Sequence, residues 1–385
     1  MPAMNGFAVS SRSMRRLIGC SVAAVLLVSA LFASSASAAK APLAPTNYIA
    51  LGDSISYGYS QQKFEENYPA ESPSAFEGGF VNLLTKRLAS LEKKSGNALT
   101  SINLSCPGEV SDGLIGENPA IGGGQQANGA SDSAPCGWHN VDGFPRHFES
   151  GPVSQLEAAI GIVTTPATFG TAKYVTLQIG SNDELAVVHA CETPAYLEAH
   201  AFAGGAFECL LHEAGEEGYY YEKGLFHHVI ANVGDTIGVL RAEGFTGEVG
   251  VLGFYNPQAL ILPGSDTLQQ KLNESFEAEI GGGAFGPGVV YANPFPKLNP
   301  QKGNKAESKA ICKFTEECNT HDKYVDFVKY LESKGSSKAE AEAYAEAHKA
   351  EAEAFPEGDI HPTPAGHKYF AKILFEALTT GKSVG

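Results

Sequence analysis

Basic residues are in short supply in this chain. Lys and Arg number 27 against 43 Asp and Glu over 385 residues, a formal charge of −16. A surface of that sign repels a phosphate backbone, which excludes nucleic acid as a natural partner, and the charge serves solubility. Metal-site spacing is also missing. No C-x-x-C pair occurs, the histidines show no ligand spacing, and His227 and His228 are adjacent on a helical pattern and point in different directions. No metal and no cofactor are therefore expected. No internal repeat or interdomain linker divides the chain, and an apolar content of 43% excludes global disorder.

The one long apolar run lies at the start. Arg12, Arg15 and Arg16 precede a run from Leu17 to Ala33, which closes on Ala36-Ser37-Ala38. This is the pattern of a secretory signal peptide over residues 1–38. The run is a little short for a spanning helix, so no stable membrane anchor is expected. Arg15-Arg16 leaves Sec and Tat export both open, and Cys20 comes too early in the run to be a lipid-anchor site. The segment holds three arginines and no acid, so residues 39–385 carry 24 basic and 43 acidic residues, a charge of about −19. The expectation is a monomer outside the cell. Six cysteines remain after Cys20, and six allow 15 pairings. Their spacings of 30, 18 and 6 residues group them as Cys106–Cys136, Cys191–Cys209 and Cys312–Cys318.

Short apolar runs at 47–53, 100–106, 172–180, 247–254 and 288–293 are continuous rather than alternating, as in strands covered on both faces. Helical patterns lie between and after them, over about 78–95, 152–163, 225–243, 266–280 and 363–380. In the first of these, Phe80, Leu83, Leu84, Arg87, Leu88 and Leu91 share one face. Strands alternating with helices predict an α/β fold with a doubly wound, mostly parallel five-stranded sheet. Such sheets bind their ligands beyond the carboxyl ends of the strands. Insertions near 109–150, 191–224 and 294–356 interrupt the pattern, and the last carries a capping box, Ser337-x-x-Glu340, opening a solvated acidic helix.

The first strand runs into "ALGDSISYG", where a tight turn presents Ser54. A serine hydroxyl is a weak nucleophile that needs a general base, a group to orient the base, and donors for the oxyanion it creates. The other strand ends supply such parts. "LSCPGEV" places Gly108 after a strand, where a backbone N–H can approach a ligand. "LQIGSNDEL" places the Asn182 amide just past another. "EGDIHPTPAGHKYF" places His361 before Pro362 and a helix. The plain alternatives are a turn serine, a turn glycine, a helix-capping asparagine and a structural histidine. Asp53 and Asp183 read as holders of local turns, and His367 as a residue on the outside of the last helix.

Four such blocks in this order resemble the SGNH subgroup of the GDSL hydrolases, over about residues 46–378. No Gly-x-Ser-x-Gly elbow competes. The resemblance implies a three-layer α/β/α, flavodoxin-like domain over 39–385. It implies Ser54 as nucleophile, His361 as base, and an oxyanion hole of the Ser54 and Gly108 N–H groups and the Asn182 side chain. It implies a secreted serine esterase or lipase that hydrolyses carboxylic esters of lipids or acylated small molecules. A carbohydrate esterase removing acetyl groups from extracellular polysaccharide, and a binding protein on an inactive scaffold, stay open as alternatives. The chain departs from the family at one point. The family usually has Asp three residues before the histidine, where this chain has Gly358. Asp359, the Gly358 carbonyl and Glu357 compete to orient His361. A Cys106–Cys136 bridge would tether the loop carrying Gly108 and bring Trp138, the only tryptophan, near the cleft. Trp138, Tyr219 to Tyr221 and Phe254 are either the lining of an acyl pocket or ordinary core.

Overall fold

A computed structural model of the chain describes residues 43–385 except 68–70, 117–135, 137–138, 140–143, 150, 152, 203–204, 216, 222, 261–264, 302–303, 319–327, 329–330, 333–335 and 349–358. The proposed signal segment, Cys20, Trp138, Glu357 and Gly358 lie outside the described residues.

Five strands, β1 (Ala44–Gly52), β2 (Asn97–Asn103), β3 (Thr171–Gln178), β4 (Glu248–Leu252) and β5 (Val289–Ala292), form one parallel sheet in the order β2-β1-β3-β4-β5. The register aligns Ile102, Ile49, Val175, Val249 and Val289 in one row across it. Four of these five side chains are buried on one face, and β-branched residues pack well on a pleated surface covered from above. The helices used below are α1 (Ser54–Tyr57), α2 (Phe80–Lys94), α3 (Ser111–Ile115), α4 (Gln155–Thr164), α5 (Ser181–Glu192), α6 (Ala206–Ala214), α7 (Gly224–Ala242), α8 (Ser265–Gly281), α9 (Asn304–Phe314) and α10 (Pro364–Thr380).

Two cores follow from the two faces. Under the row of β-branched residues pack Leu156, Ala159 and Ile162 of α4, Val229, Val233 and Ile237 of α7, and Leu272 and Phe276 of α8. Against the other face, Tyr48, Ala50 and Val290 meet Phe80, Leu84 and Leu88 of α2 and Phe370, Leu374 and Leu378 of α10. The domain is a three-layer α/β/α sandwich, as the alternation of elements predicts.

The differences from the sequence reading have local causes. β2 ends at Asn103, yet Leu104 N–H and Cys106 N–H still bond to Ala50 and Gly52 carbonyls at 2.9 and 3.0 Å, so the apolar run to 106 reports real pairing. On α2 the buried stripe is Phe80, Val81, Leu84, Leu88 and Glu92 rather than the face through Leu91. Glu92 is drawn in because it pairs with Lys173 at 2.6 Å and accepts from Tyr174 Oη at 2.7 Å. The insertion at 191–224 contains α6, bridged to α5 by Cys191–Cys209. The other bridges are Cys106–Cys136 and Cys312–Cys318. Ser337 and Glu340 form the reciprocal capping box.

His367 reverses its expected position. It is 3% exposed, turned inward on α10 between Phe80 and Phe370, and its Nδ1 accepts from the Phe80 N–H at 3.2 Å. The N-cap of α2 is Gly79, which makes no side-chain cap bond, and the His367 imidazole satisfies the donor at Phe80 instead. Burial, then the charges of Lys63 and His361, lower its pKa to about 3. The unfolded imidazole takes a proton near pH 6.5 and the folded one does not until about pH 3. Stability is therefore complete above the unfolded value and falls as pH drops below it. His367→Asn keeps an acceptor near the Nδ1 position and removes the proton uptake. Urea unfolding at pH 7, 6 and 5 is expected to show wild type losing up to about 1.4 kcal/mol more per pH unit than the variant. Parallel curves would contradict it.

Candidate active site

Ser54 begins where β1 stops. Gly52 has φ of 143°, and a Cβ there would lie 2.0 Å from the Gln178 carbonyl oxygen, so only glycine lets β1 run this close to β3 into the turn. Asp53 caps the single turn α1, its carboxylate accepting from Ile55 N–H at 2.9 Å, and Gly58 ends that turn in the left-handed region at φ 86°. Burial pushes the Asp53 carboxyl up to about 7, against the opposing effects of Ile55 N–H, Gln178 and the His361 charge. Asp53 is therefore a turn holder, as the sequence reading had it.

His361 comes to Ser54 from the far end of the chain. It sits on a short strand, β6 being Thr315–Glu316 and β7 Asp359–Pro362, paired antiparallel. His361 Nε2 lies 2.7 Å from Ser54 Oγ. Its Nδ1 meets Asp359 Oδ1, and its own backbone N–H donates to that oxygen at 3.0 Å. An extended two-residue step thus suffices to bring Asp359 to the imidazole. The second Asp359 oxygen accepts from Gln61 N–H at 2.7 Å. Burial raises the Asp359 pKa, but the His361 charge, its hydrogen bond and the two backbone donors outweigh burial and hold the carboxyl below its ordinary range. Tyr59 presents an edge to the imidazole, ring centres 4.8 Å apart. The two competing groups for this position, Glu357 and the Gly358 carbonyl, lie outside the described residues.

Asn182 is tied to Glu109, the residue that follows Gly108. Gly108 has φ of 75°, in a turn tethered by Cys106–Cys136. Asn182, in the first turn of α5, donates from Nδ2 to the Glu109 carbonyl at 2.9 Å. An amide nitrogen carries two hydrogens, so one is still able to point at a ligand. Asp183 does more than hold its own turn. Its buried carboxylate accepts from Ser111 N–H at 3.0 Å and Ser111 Oγ at 2.6 Å, joining α5 to α3. Asn232 of α7 donates to Ser111 Oγ and to Asp112 at 2.9 and 2.8 Å. His228 lies 2.9 Å from the same Asp112 oxygen, under the ring of Tyr221.

Gln155 went unnoticed in the sequence. Its side chain pairs with both backbone groups of Gly52 at 2.8 Å each and donates to the Glu109 carboxylate at 3.0 Å. Glu109 also accepts from Cys136 N–H at 3.0 Å. One amide thereby ties the serine turn to the loop of Gly108. Gln155 opens α4 behind a Ser154–Glu157 capping box, and nothing local marks its side chain as different from any other first-turn residue.

The expected aromatic lining is dispersed. Tyr219 is 59% exposed, Tyr221 packs on His228, and Phe254 packs on Phe276 in the core. A separate small cavity is lined by Glu184, Val187, Leu210, Leu225, Asn256 and Leu268, among others, without Ser54 or His361. Cys106, Glu109 and Cys136 cluster, but both sulfurs are spent in the disulfide, which leaves no thiolate for a metal. No helix among the described residues is long and apolar enough to cross a membrane.

No protein-family model and no curated protein matches the sequence. Solved structures do, at low identity. A lipase from a goat rumen metagenome is 13% identical, covering 85% of this chain and 94% of its own, with a TM-score of 0.38. A carbohydrate esterase family 2 enzyme with its carbohydrate-binding domain, from Corynascus thermopiles (Myceliophthora fergusii), is 11% identical, covering 89% and 68%, with a TM-score of 0.40. An extracellular lipase from Streptomyces rimosus is 14% identical, covering 66% and 82%, with a TM-score of 0.33.

Proposed function

We propose that this chain is a serine ester hydrolase working outside the cell, with Ser54 as nucleophile, His361 as general base and acid, and Asp359 as the group that orients the imidazole. The observation that carries the reading is the continuous chain Asp359–His361–Ser54, with 2.7 Å between Nε2 and Oγ. Nδ1 bonded to a carboxylate fixes the tautomer that leaves Nε2 as acceptor. Ser54 Oγ loses its proton to His361 and bonds to the ester carbonyl carbon. The Ser54 and Gly108 N–H groups and the Asn182 amide receive the oxyanion. His361 returns the proton to the departing alkoxide, leaving an acyl-serine and an alcohol. A water then repeats the sequence, His361 taking its proton, to release the acid and restore Ser54. No step requires a cofactor.

Hydrolysis of p-nitrophenyl esters from acetate to palmitate by residues 39–385 tests this reading. Turnover of any member above the buffer rate is expected. A preference for long chains marks a lipase, and confinement to acetate marks the deacetylase alternative. A folded, disulfide-bonded chain that turns over none of them contradicts the reading. Asn182→Ala, measured on the best of these esters, is expected to lower kcat by about 10²–10³ with little change in KM, because the donor acts on charge that develops only in the transition state. An equal rise in KM at constant kcat would assign Asn182 to ground-state binding instead.

A further inference from the structure

The strand that carries the acid–base pair has an unusual support. β7 pairs with a two-residue strand, Thr315 opposite Pro362 and Glu316 opposite Asp359. The contact continues past β7. Thr363 N–H donates to the Phe314 carbonyl at 3.0 Å, and Thr363 Oγ1 donates to the Lys313 carbonyl at 2.8 Å. At Gly366 a Cβ would lie 2.2 Å from the Phe314 oxygen, so α10 starts flush against the same segment. All of these partners, residues 313 to 316, lie inside the ring that Cys312–Cys318 closes, six residues apart in sequence. Tyr255 Oη also donates to the Ile360 carbonyl at 2.7 Å. The strand carrying His361 is therefore bonded to one tyrosine and to one disulfide-closed segment.

The bridge also differs from the other two in access. Cys106, Cys136, Cys191 and Cys209 are at most 2% exposed, whereas Cys312 is exposed and Cys318 half-buried.

We propose that the Cys312–Cys318 disulfide positions the Asp359–His361 pair against Ser54, and that ester hydrolysis by this chain consequently responds to dithiol reductants. The inference rests on the serine-hydrolase reading above. A dithiol's thiolate attacks the exposed Cys312 Sγ, breaking the S–S bond and expelling Cys318 as a thiolate. The reagent's second thiol then displaces Cys312 from the mixed disulfide. Two electrons pass to the protein, the reagent ends as a cyclic disulfide, and the cysteines end as thiols. The opened segment no longer fixes the register of β6, and β7 slackens with it. An ångström of drift between Nε2 and Oγ is enough to cost up to about 10²-fold in rate.

The experiment measures kcat and KM on p-nitrophenyl acetate for the oxidised chain, for the chain treated with dithiothreitol without denaturant, for the same sample reoxidised, and for Cys312→Ser/Cys318→Ser. Free thiols and circular dichroism are read on each. Expected are two thiols per treated chain, a fall in kcat of about tenfold with KM within about twofold, and recovery on reoxidation. The double variant is expected to have the lowered kcat from the outset and no further response to reductant. A folded double variant with wild-type kcat overturns the proposal, as does a loss of activity in wild type that follows loss of ellipticity rather than the first two thiols. An oxidised chain without activity on any ester overturns the serine-hydrolase reading itself, a result that the other two leave standing.

Discussion

Ser54→Ala is expected to lower kcat/KM for the best p-nitrophenyl ester by about 10⁴–10⁶ while leaving the chain folded. The size follows from chemistry rather than binding. In the proposed mechanism Oγ is the atom that bonds to the acyl carbon, so without it the remaining machinery can only polarise the ester for attack by free water. The fold has little to lose. Ser54 is the first residue of α1, but the turn is capped by Asp53 and closed by Gly58, and neither contact uses the Ser54 hydroxyl. Among the described residues its side-chain partner is His361 Nε2. An unfolding midpoint within a few degrees of wild type is therefore part of the expectation, and a large fall in stability would show that the turn depends on the hydroxyl.

His361→Ala is expected to cost nearly as much, because serine without a base presents its neutral hydroxyl to the ester. The combined variant separates a catalytic unit from two unrelated defects. If Ser54 and His361 act as one device, Ser54→Ala/His361→Ala falls no further than either single change. If the losses multiply, His361 contributes through some other route. His361 is also bound on both ring nitrogens and edge-on to Tyr59. Its loss therefore leaves Asp359, among the described residues, with its backbone donors from Gln61 and residue 361. Some loss of stability is expected for this variant, which Ser54→Ala does not share.

The layers of the fold were legible because parallel strands buried on both faces write continuous apolar runs, and all five candidate strands overlap β1 to β5. Residues at strand ends were legible for a related reason. A serine turn after a strand, a glycine after proline and an asparagine opening a helix each have a local signature. Long-range side-chain pairings do not. Gln155 reaches Gly52 across 103 positions, Asp183 reaches Ser111 across 72, and Gln61 reaches Asp359 across 298. No periodicity records such partners. His367 was placed outside because the helical pattern says which face is apolar but not that a histidine can satisfy a helix-start donor there. Glu92 was missed on the same ground, its burial being set by Lys173 and Tyr174 on a neighbouring strand. The aromatic residues of the 191–224 insertion gave no usable signal, since Tyr219 and Tyr221 are two positions apart in sequence but opposite in exposure.

The most direct test of the serine-nucleophile claim is covalent capture. A fluorophosphonate reacts with a serine only when a base has activated it, and the result does not depend on guessing the ester. Intact-mass measurement of the labelled chain, followed by peptide mapping, is expected to show a single adduct on Ser54 in wild type and none in Ser54→Ala. A folded wild-type chain that takes up no label, or takes it up equally well after Ser54 is replaced, would contradict the account.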